Sequence, residues 1–347
     1  MPSSSATSSA TARAPGRVTL IGDHTDYNEG LSLPMAIDLA TEATFSPEPG
    51  SFLIGLDSDQ FPDHLEIPLG DTAPPSPHAL LAAGLIRLCH PKTGGTVRVT
   101  TTIPIGAGLS SSAAFSVALS LALGHAAQPV ELARHCQQAE ALAGAHVGLL
   151  DPLAIVAARA DHALHIDFST LEMRQVRLPA DAAFVVVHSG APRLLNGSPY
   201  ATRRAECESA ARLLGRALGR CGPGDLSGLG DPVLRRRARH VVTECARVRE
   251  VERLLSLGDL AAVGAVMSEG HRSLADDFRV SVPAVDALVG HLVSQPGVLG
   301  ARMTGGGFGG CVIALCRPDS PALDPAVHAP LRAWRVSPAG GASMLER

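Results

Sequence analysis

Aromatic side chains are scarce in this chain: Phe, Tyr and Trp make up 3% of its 347 residues, with a single tryptophan, Trp334. The cores must therefore be built from Ala, Val and Leu. Seven cysteines are present (Cys89, Cys136, Cys207, Cys221, Cys245, Cys311 and Cys316), odd in number and scattered. None forms a CxxC pair, so neither a disulfide framework nor a zinc knuckle is indicated, and a reducing compartment is favoured. No apolar run reaches the length of a bilayer span. The opening "MPSSSATSSATAR" has no apolar stretch of the kind a signal peptide needs and reads as a tail over residues 1–13. A cytoplasmic protein is expected, with no membrane partner. A net charge of −4 gives no reason to expect nucleic acid. The basic run "RRRAR", Arg235 to Arg239, has no aromatic or basic support nearby and reads as a solvated helix face.

What the chain does have is length, glycine and helical periodicity. At 347 residues it is too long for one ordinary core, so two domains are expected, divided near residue 178 into 14–178 and 179–347. In the first, "RVTLIG" and "GLSLPMAIDLATEATFS" are β-rich runs around the turn "DHTDYNEG". "HALLAAGLIRLC" has helical spacing, and "GGTVRVTTTIPIG" alternates like a strand. The stretch from Ser111 to Leu123 is apolar nearly all round and predicts a buried helix. "PVELARHCQQAEALAGAHVGLLDPLAIVAARA" reads as two helices broken near Gly144 to Gly148. "HALHIDFS" and "AAFVVVHSG" read as strands. Helices follow over Tyr200 to Leu218, Pro232 to Leu257, Leu260 to Leu274 and Pro283 to Val293, before a strand, a glycine-rich loop and a last strand in "GVLGARMTGGGFGGCVIALC".

Three stretches carry chemistry. "PIGAGLSSSAA" (Pro104 to Ala114) sets glycines 106 and 108, which permit tight turning, before a helix whose first N–H groups are unpaired. That combination makes an anion site suited to phosphate, to which Ser110, Ser111 and Ser112 add hydroxyls for phosphate oxygens or magnesium. No lysine lies inside the loop, so it is not the GxxxxGK[ST] arrangement. A glycine turn before a serine-capped helix is the simpler alternative. "GRVTLIGDHTDYNEG" groups Arg17, Asp23, His24 and Asp26 around one strand and turn. Carboxylates there suit sugar hydroxyls, which need acceptors in fixed directions. A metal reading of the same residues lacks a second ligand cluster. "MTGGGFGGC" fits a loop passing close to a bound ligand, or a tight turn.

Taken in order, "APGRVTLIGDHTDYNEGLSLPMAI", "PIGAGLSSSAA" and "RMTGGGFGGC" closely resemble the three motifs of the GHMP kinases, the first in its galactokinase version, normally GRVNLIGEHTDYN. The resemblance runs from about Ala14 to Cys316. It implies a two-domain α/β (α+β) fold with the active site in the interdomain cleft, acting on ATP and the anomeric hydroxyl of a free sugar, D-galactose above all, in a monomeric enzyme. It also implies roles. Asp151, the aspartate of "GLLDPL", would accept the proton of the sugar hydroxyl, with Arg17 as its partner; alternatively, or in addition, Asp151 caps a helix ahead of Pro152. Asp23, His24, Asp26, Gly148 and Tyr200 would meet the sugar. Gly106, Ala107, Gly108, Leu109, Ser110, Ser111, Ser112 and Ala113 would hold the phosphates, with Gly306 and Gly307 in a loop closing over the site. Ser112 and Glu140 would hold Mg2+.

Four departures accompany the resemblance. Asp23 replaces the usual Glu and draws the carboxylate back by about 1.5 Å. "AEALAG" is one residue shorter than the usual spacing between the metal-associated Glu and the next Gly, which on a helix turns Glu140 by about 100°. "SPHALLAAG" lacks an adenine-stacking Trp and leaves His78 or Leu80 to line that pocket. Pro152 replaces the usual Gln, and "VG" the usual "CG". A 1-kinase for another galacto-configured sugar (a galactosamine derivative, galacturonate or arabinose) is one alternative. A sugar-sensing regulator without catalysis is another, opposed by the intact "GLSSSAA" and by Asp151.

Overall fold

The computed structural model describes residues 8–59, 61–70, 79–144, 148–192 and 198–346. Its longest strands, β1 (Ala10–Ile21) and β2 (Leu31–Pro47), pair antiparallel and are joined through the turn that carries Asp23 to Asp26. Every β1 residue from Ala14 on is buried, because layers cover both faces of the strand there. The chain continues through β3 (Leu53–Ser58), β4 (Phe61–Pro68), α1 (Leu80–Cys89), β5 (Gly95–Thr101), α2 (Ser111–Ala122), α3 (Pro129–Leu142), α4 (Leu150–Ala157), β6 (His162–Asp167) and β7 (Glu172–Arg177). With β12 (Ser343–Leu345) from far along the chain, strands β12-β1-β2-β5-β3-β4 form the first sheet, β6 branching from β2 and β7 pairing with β6; β3 and β5 pair parallel. Helix α2 packs on β1 and β2, with eight of its twelve residues buried.

The second half consists of β8 (Ala183–His188), α5 (Ser198–Leu214), α6 (Pro232–Leu257), α7 (Leu260–Ser273), α8 (Pro283–Val293), β9 (Val298–Met303), β10 (Cys311–Cys316), β11 (Ala333–Val336) and β12 (Ser343–Leu345). Its antiparallel sheet has the order β11-β8-β10-β9, and α7 and α8 pack on β9. Helix α6 starts at a side-chain cap, Asp231 accepting from the Val233 and Leu234 N–H groups, and stops at Gly258 in the left-handed region. It reaches across to β1 and β2. All seven cysteines are free. Among the described residues no helix is long and apolar enough to cross a membrane.

Several expectations are corrected. Residues 10–13 are not tail: β1 begins at Ala10, because Thr11 and its neighbours find partners on both sides, in β2 and in β12. Strand β12 belongs to the first sheet although it lies far beyond residue 178. The helix expected over Tyr200 to Leu218 ends at Leu214, where Gly215 turns left-handed with φ +67°. Between the strands expected in "HALHIDFS" and "AAFVVVHSG" lies a further one, β7 in "TLEMRQVRLPAD", whose alternation is masked by polar residues. The basic run is not a solvated face. Arg237 is buried with its Nε 2.7 Å from Glu206, and Arg239 pairs with Asp277 at 3.0 Å.

Candidate active site

A cleft of about 620 Å³ opens where the β1–β2 turn, the loop before α2, the start of α4, the start of α5 and the β9–β10 loop meet. At its centre, the Arg17 Nε donates to Asp151 Oδ1 at 2.7 Å, with Nη2 at 2.6 Å from the same oxygen. The Arg17 Nη1 donates to the Gly108 carbonyl at 2.7 Å, and its backbone N–H to the Leu109 carbonyl at 3.1 Å. One arginine on β1 thereby fixes the loop before α2 and the first turn of α4 together. The Asp151 side chain is one-third exposed, while Arg17 is sealed at 4%.

Gly106 and Gly108, at φ +70° and +81°, turn the loop into α2, and Ser110 enters the helix at φ +65°. As the N-cap, Ser110 makes no side-chain cap bond; its hydroxyl donates instead to Asp151 Oδ2 at 2.6 Å. The first N–H groups of α2 are left to face the cleft, which Ser111, Ser112 and Ala113 line. Ala107 and Leu109 do not line it. Both are buried in the core, because alternate residues of the loop turn inward, and Leu109 contributes its carbonyl alone. The Ser112 hydroxyl donates to Glu140 Oε1 at 3.1 Å, so the short spacing after Glu140 does not turn it away from the cleft. Burial, and next the Asp151 charge, push the Glu140 carboxyl up to about 7.

His24, Asp26, Gly148 and Tyr200 also line the cleft. Asp26 lies so close to Gly148 that any side chain there would have to displace the Asp26 carboxylate. Burial, then the Asp151 charge, raise the Asp26 carboxyl to about 6. Three of the eleven aromatic residues gather here. Both tyrosines, Tyr27 and Tyr200, and Phe278 surround the His24 ring, with centroids 6.1, 5.7 and 4.7 Å away. His24 Nδ1 is 3.1 Å from the Tyr27 hydroxyl.

Asp23 is placed differently from the expectation of a carboxylate offered to the cleft. It touches the cleft wall but is 3% exposed, and both oxygens have protein partners. Oδ2 accepts from Arg302 Nη2 at 2.9 Å and Oδ1 from the Gly305 N–H at 3.1 Å. Arg302, fully buried on β9, also donates to Glu244 of α6 at 2.7 Å. Burial pushes the Asp23 carboxyl up to about 6, against the pull of Arg302. Glu244 is held down at about 2, because Arg302, His240 and Arg247 outweigh its burial. Sequence reading missed Arg302 and Glu244. Their signal was a charge inside the otherwise apolar "VLGARM" and another inside "VVTECARV".

Gly306 and Gly307 line the cleft, but the loop around them is a packed wall rather than a lid: Phe308 N–H bonds the Val280 carbonyl at 2.7 Å and Gly310 N–H that of Ala191 at 3.1 Å. Leu80, at the start of α1, is not among the lining residues, and His78 lies outside the described residues.

Comparison with known proteins agrees with this geometry. Residues 4–47 match the galactokinase galactose-binding signature, 79–159 the GHMP kinases N terminal domain and 249–326 the GHMP kinases C terminal region. A galactokinase of Streptomyces coelicolor is 42% identical over 325 residues, covering 87% of this chain and 83% of that relative. One of Mycobacterium tuberculosis is 42% identical over 324 residues, covering 88% of each. The crystal structure of Lactococcus lactis galactokinase complexed with galactose superposes with a TM-score of 0.91 at 28% identity, over 98% of this chain and 96% of that one. The Methanococcus jannaschii mevalonate kinase shares the fold at a TM-score of 0.72 and 18% identity, over 96% of this chain and 99% of its own. Motif order, cleft and relatives converge, and the chain belongs to the galactokinase family of the GHMP kinases.

Proposed function

We propose that this protein transfers the γ-phosphoryl group of ATP to the anomeric hydroxyl of D-galactose, giving galactose 1-phosphate and ADP. The observation that carries the reading is the junction of Arg17, Asp151 and Ser110. A carboxylate held by a buried arginine stands directly against the loop whose backbone suits phosphate. Its Oδ2 already accepts a hydroxyl proton donor at 2.6 Å, which is the position a sugar hydroxyl would share or take. Asp151 accepts the proton as the O1–phosphorus bond forms and the bond to the ADP oxygen breaks. Arg17, fixed to two elements, keeps the acceptor oriented and offers positive charge to the transferring group. His24, Asp26 and Tyr200 supply the polar and stacking surface against which a sugar ring is aligned, and Gly148 leaves room for its close approach.

The donor set beside the phosphate loop fits magnesium. Ser112 and Glu140 offer oxygen only, they already meet at 3.1 Å, and among the described residues no cation balances the buried Glu140 carboxylate. These two residues would hold the ion, which neutralises charge on the phosphate oxygens when bound. A panel of free sugars assayed with ATP and Mg2+ tests the whole reading. Galactose is expected to turn over at a useful rate. A panel in which galactose is inert and another sugar reacts would remove galactose while leaving a sugar kinase; a folded protein that phosphorylates none would remove the enzyme.

A further inference from the structure

Away from the cleft, the ends of α1 and α2 and the middle of α3 bring together a second group of reactive side chains. Cys89 is the last residue of α1, His125 follows the end of α2, and His135 lies on α3. The Cys89 Sγ is 3.4 Å from His135 Nε2. The His125 and His135 rings stack with centroids 3.9 Å apart and planes 20° apart, so one ring must turn about its Cβ–Cγ bond before both can direct a lone pair at the same ion. One ligand-type atom from each residue lies within 4.8 Å of the other two, and all three residues are half-buried. Among the described residues no other three His, Cys, Asp or Glu meet this way.

We propose that Cys89, His125 and His135 form a zinc(II) site that ties α1, α2 and α3 together, with water in the fourth position. Distance supports it first. In a tetrahedral zinc centre, bonds of about 2.3 Å to sulfur and about 2.0–2.1 Å to nitrogen set those two atoms about 3.5 Å apart. The Cys89–His135 pair already stands at 3.4 Å. The donor set comes next: one thiolate and two imidazoles favour zinc or cobalt over the hard cations that oxygen ligands take. That separates this site from Ser112 and Glu140, which lie at or nearer the other ends of α2 and α3.

Electrostatics adds a third argument. Cys89 closes α1, and His125 stands two residues past the C-cap of α2, so the negative ends of two helix dipoles point at the place where the cation would sit. The backbone is fixed there, with the His125 N–H bonded to the Ser120 carbonyl at 2.9 Å. Half-burial leaves one side open to water. On binding, the Cys89 S–H bond breaks, an Sγ–zinc bond forms and the proton passes to solvent; both imidazoles give lone pairs and nothing is oxidised or reduced. The ligands lie far apart in sequence, which is why no zinc motif is visible there.

Cobalt(II) is the probe, applied to chelator-stripped full-length protein without an affinity histidine tag. One equivalent should produce a thiolate-to-cobalt charge-transfer band with the visible bands of a tetrahedral centre, and zinc(II) should bleach both. Cys89→Ser and His135→Ala should lose the charge-transfer band while the other six cysteines remain. A wild type without the band, or a band that survives in Cys89→Ser, overturns the site. Circular dichroism establishes that each variant is folded. Should Cys89→Ser fail to fold, His125→Ala carries the test, because its side chain lies beyond the helix end; cobalt affinity and spectrum unchanged in that variant overturn the three-ligand site.

Discussion

Two arginine–carboxylate centres lie along the same cleft, and they differ in what surrounds them. At one, Arg17 holds Asp151, whose side chain is one-third open and faces the phosphate loop. At the other, Arg302 holds Asp23 and Glu244 with all three side chains sealed to 4% or less. The open pair has a free side on which a hydroxyl can approach. The sealed triad spends its hydrogen bonds on joining β9, α6, the β1–β2 turn and the glycine loop. Removing one partner of a buried pair leaves an uncompensated charge, whereas an open carboxylate loses chemistry and little stability. The comparison therefore predicts opposite phenotypes from chemically similar substitutions.

The largest effect is expected at the open pair. Asp151→Asn removes the proposed base but keeps an amide oxygen for the buried Arg17, so kcat should fall about 10²–10⁴-fold with nucleotide binding retained and the melting temperature should fall by less than at the sealed triad. Steady-state kinetics beside a thermal melt checks this. A variant with near-native turnover would leave Asp151 only its structural role of anchoring Arg17, since it caps no helix: α4 starts at Leu150, its N-cap is Leu149, and Asp151 lies inside the first turn.

The sealed triad should behave in reverse. Arg302→Met strands Asp23 and Glu244 in the core, a loss of about 3–5 kcal/mol. For a chain of this length that is a fall in melting temperature of roughly 4–7 °C. Protein that does fold should retain measurable turnover, since Arg302 touches no catalytic atom. Unchanged stability would mean that the triad is wetter and weaker than its burial indicates.

These two centres also mark how far sequence reading reached. The motif order was enough for the fold class, and it pointed to Arg17, Asp151, the serine loop and the sugar-side turn, because each depends on local chemistry written in consecutive residues. α6 and α8 begin and end at Pro232–Leu257 and Pro283–Val293, as their periodicity and their prolines indicated. What stayed hidden depends on distant segments meeting. Arg302 and Asp23 are 279 residues apart, and nothing near Asp23 shows that its oxygens are taken. Likewise β12 adds to β1 through pairing that no local pattern in "SML" reveals.

Asp26 sits between the two extremes and tests the electrostatics. Its folded carboxyl titrates near 6 against an ordinary 3.8, because burial and Asp151 disfavour its charge. The native state thus holds the proton more tightly than the unfolded chain, and the carboxylate costs stability increasingly as pH rises from about 4 through 6. Asp26→Asn removes that cost. Its melting temperature should match the wild type near pH 4 and exceed it by a few degrees at pH 8, while its KM for galactose rises. A variant no more stable at pH 8 than the wild type would show that the Asp26 charge is already compensated in the free enzyme.

The smallest effect is expected at Asp23→Glu, the substitution that would connect the sealed triad to the open site. The added methylene moves the carboxylate by about 1.5 Å. Kept on Arg302, the longer side chain must fold into a filled space, at a cost of about 1–3 kcal/mol. Released, it can reach the cleft, and Arg302 is not orphaned because Glu244 still lies 2.7 Å away. The second outcome is favoured by the position of Asp23 on the cleft wall. A hydrogen bond to a charged group is worth about 1.5–3 kcal/mol, so a gained contact would raise galactose kcat/KM by a factor of about ten or more. A contact already bridged by water would leave it nearly unchanged. If Asp23 instead makes room for a sugar with a bulkier or charged group at that end, Asp23→Glu should damage turnover of that sugar while helping galactose. A large loss on galactose with the fold intact would break the comparison, because it would make the sealed carboxylate part of the substrate site in its present, shorter form.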